Sequence, residues 1–202
     1  MHLGVAKLAL KDEQSSRQHY NPEINHNDLI ARCRKGDDLA MEALYQHYRI
    51  PLFNLAYRLS YDRAIAEDLL QEIFIKVFVR LGELRKEEAF KAWIYRIAVN
   101  TCISYLRVWK KRNKNLVPIC QVEWKLGQDD FSEDNRLIKQ QLDKAIEELP
   151  EKLRSVFLLH DVQGFKHKEI AQILKCSIGT SKSQLFKARM KIRHHLKKKS
   201  IN

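Results

Sequence analysis

The stretch from Lys166 to Leu196 restricts the fold more than any other part of the chain. Its first piece, KHKEIAQIL, places Ile170, Ala171 and Leu174 at helical spacing, so one face can be buried. Lys175 to Ser177 interrupts that pattern, and the Ser177 hydroxyl can cap a second helix by accepting an early backbone N–H. In that second helix Leu185, Ala188, Ile192 and Leu196 form an apolar stripe, while Lys182, Ser183, Phe186 and Lys187 project from nearly the opposite side. Two helices joined by a short turn, the second one basic, make a helix-turn-helix whose second helix fits a DNA major groove. A helical hairpin with a solvated basic face would show the same pattern.

Charge and composition narrow the choice. The 202 residues carry a net charge of +12, which suits a polyanionic partner, either nucleic acid or an acidic membrane surface. Hydrophobic residues make up 45% of the chain, with only 6 Gly and 4 Pro, so one or two mostly helical domains with real cores are expected. No apolar run reaches the ~18 residues of a membrane span, and Met1–Leu10, interrupted by Lys7, is too short for a signal peptide. A cytoplasmic protein with no direct membrane insertion is expected. Cys33, Cys102, Cys120 and Cys176 are scattered beside apolar patterns and read as reduced core thiols, with no metal site.

Residues 1–27 are polar and read as a tail. Asp28 can cap a helix running to about Lys35, which Gly36-Asp37-Asp38 breaks. Leu39, Ala43, Leu44, His47 and Tyr48 then recur at core spacing, and Pro51 is expected to bend or restart the helix before Leu52, Leu55, Ala56 and Leu59. His47 reads as a half-buried packing residue. In Ala66–Leu81 the residues Ala66, Leu69, Leu70, Ile73, Phe74, Val77 and Phe78 form one buried face. Asp68, Gln71, Glu72, Ile75 and Val79 lie on the other side. Carboxylates, an amide and two aliphatics on an exposed face suit a partner helix; a helix buried almost all round, with carboxylates at its rim, is the equal alternative.

Gly82–Glu88 is a charged loop, and Phe90–Lys111 a long helix with Trp93, Ile94, Ile97, Ala98, Thr101, Tyr105 and Val108 inward. Asn100, Ser104, Arg107 and Lys111 form a polar line outside. From Arg96 to Lys114 there are six Lys/Arg and no acid. Basic residues interleaved with aromatics and an amide suit single strands, whose bases stack on rings and present their edges to polar groups. Asn113–Asp134 loses periodicity; its five acids against one Lys after Gln121 mark an acidic linker over 113–134. The second module, 135–197, opens with Leu137, Ile138, Leu142, Ile146 and Leu149. Pro150 breaks that helix, Glu151–Val162 resumes it, and Gly164 caps it before the helix-turn-helix. A basic tail, 198–202, closes the chain.

The second module, through Leu149-Pro150, Val156-Phe157-Leu158, Gly164, Glu169-Ile170-Ala171, Gly179-Thr180, Lys182-Ser183 and Ala188-Arg189, resembles region 4 of bacterial sigma factors of the extracytoplasmic-function group. The first module, 28–112, resembles region 2 of the same family through Ala66-Glu67-Asp68-Leu69, Gln71-Glu72, Phe74, Phe90, the run Trp93 to Ala98, and Asn100. The resemblance implies an all-α chain of two helical modules joined by a flexible linker. It implies no enzymatic activity and no cofactor. The implied partners are core RNA polymerase (the clamp helices of the β′ subunit and the β flap), promoter DNA and an anti-sigma factor.

By the same resemblance, Asp68, Gln71, Glu72, Ile75 and Val79 bind polymerase. Phe90, Arg96, Asn100, Ser104, Arg107 and Lys111 meet the melted −10 strand, whose unpaired base the Gly82–Phe90 loop helps capture. Lys182, Ser183, Phe186, Lys187, Arg189 and Arg193 meet the −35 duplex. The chain departs from the family pattern at Lys175, where Gly is usual, at Ser181 (Val), at Ser104 (Asp) and at Gln184 (Arg). A response-regulator activator shares a terminal helix-turn-helix but needs a receiver or ligand domain in front, where this chain is helical and basic. An enzyme needs converging groups, and Glu87-Glu88 and Asp129-Asp130 lie in loops. A membrane-surface binder needs an apolar face that His194–Lys199 lacks.

Overall fold

Turn chemistry decides where the helices of the first module stop. The computed structural model describes residues 26–112 and 133–199, and regular structure among the described residues is helical throughout. Helix α1 (His26–Arg34) is followed by Gly36, whose φ of +80° turns the chain. Asp37 then caps α2 (Asp38–Ser60), accepting from the backbone N–H of Leu39 at 3.0 Å and Ala40 at 3.2 Å. Tyr61 closes α2 in the left-handed region, and Asp62 caps α3 (Arg63–Arg80) by accepting from Ile65 N–H at 3.0 Å. Two 3₁₀ turns, Leu81–Glu83 and Glu87–Ala89, lead into α4 (Phe90–Arg112).

Three expectations for this module need correcting. Helix α1 starts at His26, so Asp28 sits inside the first turn, where its charge faces the positive end of the helix dipole, rather than at the cap. Pro51 lies within an unbroken α2. Its missing N–H and ring clash cost about 3 kcal/mol in an isolated helix, but Tyr48 and Leu52 on either side are buried, and that packing holds the helix through. Leu39 and Val108, both expected inside, are 77% and 50% exposed, because they lie near helix ends that no neighbour covers. The core itself is as expected: Leu44, Leu52, Leu55 and Leu59 of α2 meet Leu69, Ile73 and Val77 of α3 and Ile94 and Ala98 of α4.

The second module consists of α5 (Glu133–Glu147), α6 (Glu151–Phe157) with a π-helical turn over Leu158–Val162, α7 (His167–Leu174) and α8 (Ile178–Lys199). Helix α5 begins inside the stretch expected to be linker, and α8 runs into the expected basic tail. The tail and linker expectations for 1–25 and 113–132, Cys120 included, fall outside the described residues. Gly164, at φ +75°, turns the chain towards α7. The helix-turn-helix forms as the apolar spacing predicts, with Ile170, Leu185, Ala188 and Ile192 buried. Ile173 is buried as well, whereas Ala171 and Leu174 are only half-buried. Ser177 Oγ accepts from Thr180 N–H at 2.9 Å, the cap read from the sequence. Lys175 takes the left-handed conformation (φ 51°) in the turn between the helices. Ser181 is fully buried, but its hydroxyl lies 2.9 Å from Nδ1 of His167, so its polar atom is paired and the penalty of an orphaned hydroxyl is avoided.

The two modules also pack on each other. Tyr95 of α4 is 2% exposed; its hydroxyl donates to Gln163 Oε1 at 2.6 Å, and its ring meets Phe165 edge-on with centroids 4.9 Å apart. Lys91 Nζ sits 5.1 Å above the Phe165 ring. On the other side of the seam Arg154 donates to the Leu59 carbonyl at 3.3 Å and lies 4.9 Å over the Tyr61 ring. The same guanidinium bonds the Glu147 and Leu149 carbonyls, which ties the end of α5 to this contact.

Two backbone changes should act in opposite directions. Lys175→Gly relieves a left-handed lysine and should raise stability by about 1 kcal/mol, while Gly164→Ala should lower it by a similar amount. No atom lies within 4 Å of the added methyl at Gly164, so the loss there is backbone strain alone. Denaturant midpoints with unchanged m-values check both.

Candidate polymerase and nucleic-acid interfaces

Helix α3 buries one side and presents the other. Asp68, Gln71, Glu72, Ile75 and Val79 are all exposed, on the side away from Leu69, Ile73 and Val77. The alternative of a helix buried almost all round is therefore excluded for α3 in this structure. Glu72 is not a loose charge. It accepts from Lys76 Nζ at 2.6 Å, and the same ammonium reaches Thr101 Oγ1 of α4 at 3.1 Å. Lys76 thus braces the acidic face against the core, a role that a lysine among apolar residues does not announce in sequence.

The loop between α3 and α4 is held from both ends. Arg34 of α1 donates to Glu87 Oε1 at 2.7 Å and to the Leu84 carbonyl. Arg80 forks onto Glu83 at 2.7–3.1 Å, and this hydrogen bonding holds the Glu83 carboxyl below its ordinary range. Beside the loop lies an open cleft of about 410 Å³ lined by Glu83, Arg85, Lys86, Trp93 and Arg96 of the first module, with Gln172 and Ile173 of the second. Asn100, Ser104, Arg107 and Lys111 run along the exposed outer face of α4, as their spacing predicts. Phe90 departs from its expected place. It is 2% exposed, with its ring against Tyr48 and Trp93, so in this conformation it supports the loop from inside and offers no face for a base. Arg34 was missed from sequence because its partners lie some fifty residues away.

On α8 the residues Lys182, Ser183, Phe186 and Lys187 are exposed together near the N-terminal end, with Phe186 65% exposed despite its size. Met190, one turn further, extends this apolar surface. Arg193 is exposed beyond it. Arg189 is already engaged: Nε and Nη2 donate to Asp161 at 2.9 and 2.5 Å, and His160 Nδ1 lies 2.7 Å from the same carboxylate. Burial alone would raise the Asp161 pKa, but the Arg189 and His160 hydrogen bonds outweigh it and the net shift is downward. His167 stacks near His160 at 4.7 Å between centroids, and its pKa is lowered, chiefly by desolvation and then by the charges of His160, Lys182 and Arg189. Cys33 and Cys102 are buried free thiols pushed up to about 11 and about 12 by burial. Among the described residues no helix is long and apolar enough to cross a membrane.

Two family models coincide with these two modules: Sigma-70 region 2 over residues 44–112 and Sigma-70, region 4 over residues 139–192, together more than half of the chain. The RNA polymerase sigma-H factor of Pseudomonas aeruginosa is 31% identical over 170 residues, covering 80% of this chain and 88% of the relative. The ECF RNA polymerase sigma-E factor of Escherichia coli K12 is 32% identical over 176 residues, covering 83% and 92%. The chain is a sigma factor of the extracytoplasmic-function group. Its role therefore lies in transcription initiation with RNA polymerase. Solved structures share the sigma-factor fold. CnrH, in complex with the cytosolic domain of CnrY, matches with a TM-score of 0.64 at 20% identity, over 85% of this chain and 97% of that one. RpoE of Bartonella quintana, in complex with the anti-sigma factor NepR, matches with a TM-score of 0.62 at 24% identity, over 77% and 98%.

The His167 environment gives this sigma factor a pH dependence. A histidine whose pKa is depressed on folding takes up its proton more readily when unfolded, so stability falls as pH drops from the ordinary 6.5 through the lower folded value. His167 should therefore titrate below 6.5 by NMR, and in His167→Gln this contribution to the pH slope of stability should vanish.

Proposed function

We propose that this sigma factor binds core RNA polymerase through α3 and reads two promoter elements in two physical states: the −10 element as a melted strand and the −35 element as duplex. The observation that carries the proposal is the separation of three exposed surfaces of different chemistry. The α3 face mixes acids with Ile75 and Val79, which suits the clamp helices of the polymerase β′ subunit. The α4 line of Asn100, Ser104, Arg107 and Lys111 joins an amide and a hydroxyl to two cations beside the cleft at the loop. That composition suits an unpaired strand with one base turned out, and stacking and pocket hydrogen bonds offset an extrusion cost of a few kcal/mol.

The α8 face puts Lys182 and Lys187 within reach of guanine edges or phosphates and Phe186 on a thymine methyl, with Arg193 further along for phosphate. Arg189 keeps N–H groups for a phosphate only in the directions that Asp161 leaves open. The β flap is the polymerase partner expected for the second module. The protein itself makes and breaks no bond. It acts where polymerase and chromosome are, in the cytoplasm. One structural relative is held by an anti-sigma factor, and a partner of that class fits this chain too.

Four substitutions test the division of labour. Glu72→Lys reverses a charge on the α3 face and should weaken core-polymerase binding by about tenfold or more with helical content unchanged, as read by pull-down and circular dichroism. Asn100→Ala should alter selectivity among −10 variants in transcription assays while leaving core binding intact. Lys182→Ala should cost roughly 1–3 kcal/mol on the cognate −35 duplex and little on scrambled DNA, whereas Arg193→Ala should weaken both equally and reduce the salt slope by about one. A Lys182→Ala loss that is equal on both duplexes would reduce Lys182 to a phosphate clamp.

A further inference from the structure

Under the N-terminal turn of the recognition helix a buried hydroxyl faces an imidazole. Ser181 is fully buried, and its Oγ lies 2.9 Å from Nδ1 of His167, the first residue of α7. A hydroxyl rotates, so it donates to a bare Nδ1 and accepts from a protonated one; the pair holds in either charge state of the ring. Ser181 immediately precedes Lys182 and Ser183 of the face proposed for DNA, so what holds Ser181 holds the start of that face. The surroundings of the ring are mostly positive. The π-helical turn brings His160, with ring centroids 4.7 Å apart, and Asp161, and α8 brings Lys182 and Arg189. On α7 itself Lys166 and Lys168 flank the ring in sequence, and Glu169 accepts from the backbone N–H of Lys166 at 2.8 Å. On the other side of α7, the first module brings Glu83, Arg85, Lys86 and Arg96 to the cleft that Gln172 lines, and Lys91 to the Phe165 ring. The negative charge acting on the His167 ring is that of Asp161, which Arg189 and His160 already hold.

We infer that His167 is a positioning residue for the recognition helix and that it takes up a proton as the −35 duplex docks, so that this DNA and a proton bind together. The inference rests on the duplex-reading role proposed for α8. In the free chain, desolvation and then the charges of His160, Lys182 and Arg189 keep the proton off the ring. Phosphates engaged by Lys182 and Arg189 offset two of those charges, and the ring then accepts its proton while the Ser181 hydroxyl turns to accept the new N–H. The sign follows by linkage. A group protonated more readily in the complex than in the free chain tightens binding as pH falls from the bound midpoint to the free one, and leaves it unchanged above both. One pH unit between the two midpoints corresponds to about a tenfold change in affinity. Fold stability moves the other way, because the unfolded chain takes this proton more readily than the free folded one. A histidine with a structural role alone would therefore put the wild type at a disadvantage in acid against a variant lacking the ring, whereas one linked to DNA gives it an advantage.

The test uses the full-length protein bound to core polymerase and a fluorescent duplex carrying the −35 element of a promoter that this assembly transcribes, with a scrambled duplex as reference. Affinity is read by anisotropy from about pH 8 to about pH 5.5 at fixed ionic strength, so that screening of the phosphates stays constant. His167→Gln replaces the ring by an amide that takes up no proton. Ser181→Ala keeps the ring and removes the acceptor for its N–H. Comparing each variant with the wild type at every pH cancels the protons taken up elsewhere on the assembly. The ratio of wild-type to His167→Gln affinity for the −35 duplex should grow about three- to tenfold from the top of that range to the bottom, and the ratio to Ser181→Ala should grow in the same direction by less. A ratio to His167→Gln that stays flat, or that falls in acid as fold stability alone requires, overturns the inference. Should His167→Gln not fold, the ratio to Ser181→Ala decides by the same signs. If the wild type prefers the −35 duplex to the scrambled one at no pH, the duplex-reading role itself fails, and the inference falls with it.

Discussion

The first half of helix α4 must be buried on more sides than a small helical bundle can cover. Trp93, Ile94, Tyr95, Ile97, Ala98 and Val99 are all buried. A helix at the edge of a bundle needs only an apolar stripe, and one that is apolar nearly all round needs neighbours all round. Helices α2 and α3 cover Ile94 and Ala98, and the second module covers Tyr95 with Phe165. The cleft, the covered loop and the relation between the modules all follow from that second covering. Its strength is limited. Burying one aromatic side chain is worth about 1.5–3 kcal/mol, and each of the hydrogen bonds from Tyr95 and Arg154 adds about 1 kcal/mol net.

The helices, their breaks and the faces of α3 and α8 were legible in the chain because each depends on local spacing and local chemistry. Ser177 caps where a short polar side chain precedes an apolar run, and the exposed set from Asp68 to Val79 follows from 3.6-residue periodicity alone, whereas Asp37 reads in sequence only as part of a break and the structure makes it the cap of α2. What was not legible depends on pairs far apart in sequence. Arg34 with Glu87, Lys76 with Thr101, Arg189 with Asp161 and Tyr95 with Gln163 join residues 25 to 68 positions apart. The failures at the helix edges share one cause. Leu39 and Val108 fit the apolar period of their helices, but the period does not say where the neighbouring helix ends. One signal was present: the unbroken apolar run Trp93-Ile94-Tyr95 exceeds what one face of a helix can bury, and it pointed to a second body over α4.

The departures from the family pattern are absorbed locally. Ser181, buried where an aliphatic side chain is usual, is matched by His167, so a hydrogen bond replaces part of the lost packing. Lys175 accepts a left-handed backbone in a turn too short to avoid it. Both adjustments sit in the turn and beneath α8, away from the exposed Lys182, Ser183, Phe186 and Lys187.

The measurement that bears most directly on this account is transcription from a library of randomised DNA upstream of a fixed template, by core polymerase with and without the protein, followed by sequencing of the templates that are transcribed. The account predicts that the protein enriches two short elements at a fixed separation, one read as duplex near −35 and one at −10 that can be supplied already unpaired. Transcription no more selective than that of core polymerase alone, or enrichment of a single element with no preference at −10, would contradict it.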